Sequence, residues 1–152
     1  MRLVLDTNVL TRVVISPHGP AAELFDRIQS GHVLVTSPEL LAELSRVLAY
    51  DRVRALHQLD DDGIRQFVLE VETGSEVVPL PDHVPAVVRA DPDDDLVIAT
   101  AVLGQTDAIC TRNRHFYADD VVRYLRQWSV EVVDDVQLLI LLRQEGGQED
   151  VP

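Results

Sequence analysis

Leu3-Val4-Leu5-Asp6-Thr7-Asn8 is the stretch that decides how this chain folds. Residues 2–5 read as a short strand buried on both faces, the habit of parallel sheets. Asp6 stands where that strand should end. An ionised carboxylate there is costly unless something pairs with it. Lysine cannot, because none of the 152 residues is a lysine; the 13 cationic side chains are all arginine. The chain does supply more carboxylates: Glu43 within Leu40 to Leu48, and the run Asp91-Pro92-Asp93-Asp94-Asp95 before Leu96. If these meet Asp6 in space, a divalent cation is the natural partner.

Outward from that strand, apolar segments alternate in type. Asn8 to Val14 reads as a helix ended by Ser16-Pro17-His18-Gly19, and Pro20 suits the first turn of a second helix, Ala21 to Ser30, stopped by Gly31. Val33-Leu34-Val35 is the next strand. Ser37-Pro38 then starts a helix whose stripe is Leu40, Leu41, Leu44, Val47 and Leu48. Asp51 to Leu59 is a further helix, and Asp60-Asp61-Asp62 caps another over Ile64 to Val71. Glu76 to Leu80 is the third strand, followed by an irregular loop bracketed by Pro79, Pro81, Pro85 and Pro92. Leu96 to Leu103 is a buried helix and Ala108 to Thr111 the fourth strand. Val121 to Trp128 is helical, Val130 to Val133 a fifth strand, and Val136 to Arg143 a terminal helix. Strands alternating with helices predict an α/β sandwich around a mainly parallel sheet. The length suits one domain, 1–145, with a flexible tail over 146–152.

Composition removes several classes of function. No apolar run is long enough to span a bilayer, and no basic segment precedes a long apolar core and cleavage site at the N-terminus, so the predicted location is cytoplasmic. The single Cys110 excludes a disulfide framework and a cysteine-based zinc site; it reads as a small buried strand residue. A net charge of −13 disfavours a broad electrostatic grip on nucleic acid. It leaves room for local phosphate binding by a few arginines and a metal, and it suits a basic protein partner.

Ligands of open parallel sheets bind beyond the carboxyl ends of the strands, where Asp6 and Arg112-Asn113 both fall. Each candidate has a plain alternative. Asp6 could simply cap the helix after it. Glu43 lies about 100° from the centre of its helix's apolar stripe, where a carboxylate is either solvated or able to reach a cleft. One or two of Asp91 to Asp95 would suffice as caps, while repulsion among the rest calls for solvent or a cation. Oxygen-only ligands suit Mg²⁺ or Mn²⁺. Thr111-Arg112-Asn113-Arg114 is either a polar turn or a working segment. In the second case Asn113 is a neutral ligand or water-positioning group, Thr111 a nearby hydroxyl, and Arg112 or Arg114 the phosphate contact. His115 ranks as a phosphate or substrate contact at best. No glycine-rich phosphate loop and no Gly-x-Ser-x-Gly elbow is present.

Four blocks together resemble PIN-domain proteins, especially the VapC-like ribonuclease toxins of toxin–antitoxin pairs. They are Val4-Leu5-Asp6-Thr7-Asn8-Val9-Leu10, Ser37-Pro38-Glu39-Leu40-Leu41-Ala42-Glu43-Leu44, Asp91 through Ala101, and Thr111-Arg112-Asn113. The resemblance implies a three-layer α/β/α sandwich and a Mg²⁺- or Mn²⁺-dependent endoribonuclease. Its acidic ligands would be Asp6, Glu43 and either Asp94 or Asp95. Asn113 holds a fourth position that is often aspartate, which removes one negative charge and puts a second metal in doubt. Thr111, Arg112 and Arg114 are the implied substrate contacts. An RNA substrate, a cognate antitoxin and a homodimer are implied as partners, with the helices Ala21–Ile28 and Leu40–Leu48 as candidate contact surfaces. Two rival acidic pockets fail on inspection. A haloacid-dehalogenase-like phosphatase needs a second aspartate where Asn8 stands, and a receiver domain needs a lysine. The remaining alternative is a catalytically weak PIN-like module that binds RNA or protein without cutting.

Overall fold

A computed structural model describes residues 1–149. Five parallel strands form one sheet: β1 (Arg2–Leu5), β2 (Val33–Thr36), β3 (Ser75–Val77), β4 (Ala108–Cys110) and β5 (Glu131–Val133), in the order β3-β2-β1-β4-β5. The helices are α1 (Thr7–Ile15), α2 (Pro20–Gly31), α3 (Pro38–Ala49), α4 (Asp51–His57), α5 (Asp61–Thr73), α6 (Asp95–Leu103), α7 (Asp119–Arg126) and α8 (Asp135–Glu149).

Side-chain alternation along the strands builds two cores. Leu3 and Leu5 face the layer that contains α1 to α5 and α8, together with Leu34, Leu24, Leu44 and Leu138. Val4 faces the opposite layer, with Val35, Ile109, Ile98, Phe116 and Leu125. The result is the expected three-layer sandwich. Both faces of β1 are dry, which is why its sequence is apolar without a break.

Local chemistry sets the helix starts. Ser37 accepts from the Leu40 amide and Pro38 fills the first helical position of α3. Asp60 accepts from the Gly63 amide, so the Asp60-Asp61-Asp62 run does cap α5. The structure corrects several bounds. The third strand starts one residue earlier and ends at Val77, because Pro79 and Pro81 have no N–H to give a ladder. The terminal helix continues through Gly146 and Gly147 to Glu149, past the point where a tail was expected. Contacts with α2 hold its approach: the Arg143 Nε donates to Glu23 at 2.8 Å. Residues 150–152 of that expected tail lie outside the described residues. The apolar stripes of Ala21–Ile28 and Leu40–Leu48 are buried within this one chain, so those stripes are core and not contact surfaces for a second copy. No helix among the described residues is long and apolar enough to cross a membrane.

The chain steps from β1 outward to β3 and then returns across β1 to β4. Strand order therefore reverses beside β1, and a crevice opens at the carboxyl ends of β1 and β4.

Candidate functional site

Register places the first two groups. Leu5 pairs with Cys110, and the Asp6 amide donates to the Cys110 carbonyl at 2.9 Å. Asp6 and Thr111 are thus neighbours at adjacent strand ends. The Thr111 hydroxyl donates to Asp6 Oδ2 at 2.7 Å, the Thr7 amide donates to Oδ1 at 2.8 Å, and the Asn8 side-chain amide reaches Oδ2 at 3.4 Å. Asp6 is buried, and burial raises its pKa; the Thr111 and Thr7 hydrogen bonds offset only part of this. Asp6 does cap α1, as the plain alternative has it. Among the described residues no cationic side chain pairs with the carboxylate.

Two more carboxylates share its field. Glu43, half-buried on α3, has a pKa raised by burial first and by the negative charge of Asp6 second, with Asp93 adding to it. Asp94 closes a 3-10 turn over Pro92–Asp94 and is pushed up to about 6, again by burial first and Asp6 second. The Asn113 side chain donates to Asp94 Oδ2 at 2.9 Å and opposes that rise.

The adjacent aspartates divide sharply. Asp95 is buried, and its Oδ1 accepts from the Val87 and Val88 amides at 2.9 and 2.7 Å. It straps the proline-rich loop to the start of α6 and does not join Asp94 at the crevice. One helical step separates the two directions.

The substrate contacts expected after β4 are also revised. Thr111 is fully buried, with its hydroxyl given to Asp6 and its carbonyl accepting from Tyr117. Its hydroxyl is thereby engaged by the Asp6 carboxylate. Arg112 donates through Nε to Asp135 at 2.7 Å, and Arg12 reaches the other oxygen of Asp135 at 3.4 Å. Arg112 is therefore committed to a structural ion pair. Arg114 is exposed, and together with Arg112, Tyr117, Asp134 and Val136 it lines a cleft of about 340 Å³.

Sequence reading missed Asp135. It is 1% exposed, lies two residues past the end of β5, and anchors arginines from α1 and from the segment after β4. The signal was available: Val132-Val133-Asp134-Asp135 repeats the strand-then-aspartate pattern of Leu5-Asp6.

Chemically, the crevice offers three carboxylates, one carboxamide and one hydroxyl, an oxygen-rich set. Among the described residues no three His, Cys, Asp or Glu side chains converge closely enough to hold an ion between them. Mutually raised carboxylate pKa values and a loose donor set fit a hard dication that keeps several waters, not a closed protein cage.

A PIN domain family model matches residues 2–115, three-quarters of the chain. Among solved structures, VapBC2 from Rickettsia felis bound to a DNA fragment from its promoter is similar in fold. It is 13% identical, with a TM-score of 0.57 over 88% of this chain and 98% of that one. FitAB bound to the IR36 DNA fragment is similar too, at 20% identity and a TM-score of 0.53 over 88% and 94%. No curated protein sequence matches.

Proposed function

The chain belongs to the PIN domain family, and from that premise we propose that it is a divalent-metal-dependent endoribonuclease, the toxin of a toxin–antitoxin pair. One observation carries the reading. Asp6, Glu43 and Asp94 come from three separate segments, yet each of the latter two feels the charge of Asp6 at one sheet crevice. A fold has no structural need to gather uncompensated carboxylates.

Asp6, Glu43 and Asp94 would hold Mg²⁺ or Mn²⁺, with Asn113 completing the shell. When bound, the ion lowers the pKa of water and stabilises charge on the phosphoryl oxygens. The chain's own residues supply the rest. Thr111 and the Thr7 amide fix the Asp6 carboxylate. Glu43 is either one of the metal ligands or the group that orients the attacking water and takes its proton. Arg114 is free to meet a substrate phosphate. Water attacks phosphorus in line, the bond to the 3′ oxygen breaks, and that oxygen leaves as a hydroxyl carrying the proton the water gave up.

The test is cleavage of varied RNAs by wild type and Asp6→Asn, with metal and with chelator. Metal-dependent cleavage confined to wild type is expected; identical behaviour of the two proteins would sink the nuclease. The absence of three convergent ligands and the neutral Asn113 favour one second reading, an RNA-binding module that does not cut. That module would bind the same RNAs and leave them intact. A small basic antitoxin should co-purify with this acidic chain, and a cytoplasmic homodimer is the proposed resting assembly, formed through surfaces other than the buried stripes of α2 and α3.

A further inference from the structure

The segment that borders the acidic crevice has a second side. Beyond β4 the chain runs Thr111-Arg112-Asn113-Arg114, and alternate residues turn opposite ways. Thr111 and Asn113 face the crevice, donating to Asp6 Oδ2 at 2.7 Å and to Asp94 Oδ2 at 2.9 Å. Arg112 and Arg114 line the neighbouring cleft of about 340 Å³, with Tyr117, Asp134 and Val136. That volume is at the low end of pockets that hold small ligands. Tyr117 is 40% and Val136 44% exposed, and neither belongs to a hydrophobic core. The Tyr117 ring is nonetheless held in place, because its hydroxyl donates to the Thr111 carbonyl at 3.0 Å. Thr111 therefore ties the cleft to the crevice: one end of the residue anchors Tyr117 and the other meets Asp6.

Charge along the cleft is ordered. Arg112 is spent on Asp135, which leaves Arg114 as the cation open to a ligand. Asp134 caps α8, its Oδ1 accepting from the Gln137 amide at 2.7 Å, and its negative charge repels phosphate from that rim. A nucleotide entering the cleft thus has its phosphate drawn to Arg114 and its base left to the apolar wall of Tyr117 and Val136. We propose that this cleft is a nucleobase subsite, in which a base next to the phosphate held at the acidic crevice stacks on the Tyr117 ring. The assignment rests on the reading of RNA as the substrate. Aromatic side chains are the usual platforms for unpaired bases, and stacking tolerates any base because each has a π-face. A platform of this kind supplies what a chain of net charge −13 lacks, a hold on RNA that needs no broad basic face. The competing occupant is a side chain of a protein partner.

The experiment mixes the full chain with a short single-stranded RNA carrying 5-iodouridine, in Ca²⁺. That ion takes oxygen ligands as Mg²⁺ does but acidifies water less, which keeps the RNA whole. Irradiation links iodouracil to an aromatic ring stacked on it, and peptide mass spectrometry should find the link at Tyr117 in wild type. By fluorescence anisotropy, Tyr117→Leu should bind the same RNA about 5- to 150-fold more weakly, the contribution of one stacked base. Tyr117→Phe keeps the ring and should bind nearly as tightly as wild type. Equal losses in the two variants would overturn stacking, because both lose the hydroxyl bond and only one loses the ring. Links confined to other residues, or wild-type affinity in Tyr117→Leu, would overturn the subsite, leave the nuclease standing and give the cleft to a protein partner. RNA linked at Tyr117 yet left uncut in Mg²⁺ would keep the subsite and sink the nuclease. Failure of wild type to bind any single-stranded RNA would overturn both.

Discussion

Asp6 and Asp135 are both buried aspartates at the carboxyl end of a parallel strand, one after β1 and one after β5. Their company differs. Asp135 has two arginines, from segments far apart in the chain. Asp6 has an amide, a hydroxyl and a carboxamide, all neutral, and Glu43 and Asp94 feel its charge. The same sequence pattern is therefore closed in one place and left open in the other. In the proposed function the open one is the working group, because a buried carboxylate that the fold does not neutralise takes up a proton or a cation from solution.

Exchanging that difference gives the largest effect. Asp6→Asn removes the open charge: metal-dependent RNA cleavage should fall by about a thousandfold, the several kcal/mol that metal catalysis supplies. The folded state should be no less stable, and a thermal melt alongside the assay checks both halves. Asp135→Ala attacks the closed charge and should do the reverse. Breaking a fully buried pair costs about 3–5 kcal/mol, and the partial exposure of Arg12 and Arg112 reduces this to about 2 kcal/mol, readable by urea unfolding.

Thr111→Val sharpens the contrast by removing the one hydroxyl that Asp6 accepts from. A loss of about 1 kcal/mol is expected, with a further rise in the Asp6 pKa visible by carboxyl-carbon NMR. Next comes acidity. The folded pKa of Asp94, about 6, lies above its ordinary 3.8, so the folded state holds the extra proton. That contribution is complete below about 3.8 and disappears as pH rises through about 6. Metal-free wild type should therefore lose stability relative to Asp94→Asn across this window, and saturating metal should remove the difference. The smallest effect belongs to Arg114→Ala, which should weaken single-stranded RNA binding uniformly and reduce the salt slope by about 0.7.

How far the sequence disclosed this comparison depends on distance along the chain. β1, its terminal aspartate, the parallel sheet and the order of helices were legible because each rests on a short pattern. Asp6, Glu43 and the segment after β4 could be singled out, since strand ends in a parallel sheet point one way. The choice between Asp94 and Asp95 could not be made, because it turns on where the Val87 and Val88 amides pass. Thr111 and Arg112 were read as substrate contacts for a similar reason. Their partners, Asp6 and Asp135, are 105 and 23 residues away, and only the strand register decides that they meet. The helical end of α8 escaped notice because two glycines disfavour a helix locally, while packing on α2 is tertiary.

The arginine clamp also has a direction in time. Arg12, Asp6, Thr111 and Arg112 are all synthesised before Asp135, which follows Arg112 by 23 residues. At about 5–20 residues per second that interval is roughly 1–5 s. Until Asp135 is made, the arginines that flank the acidic crevice have no common anchor. Only the arrival of the α8 start draws them together, so a growing chain carries the parts of the site before it carries their fixed arrangement.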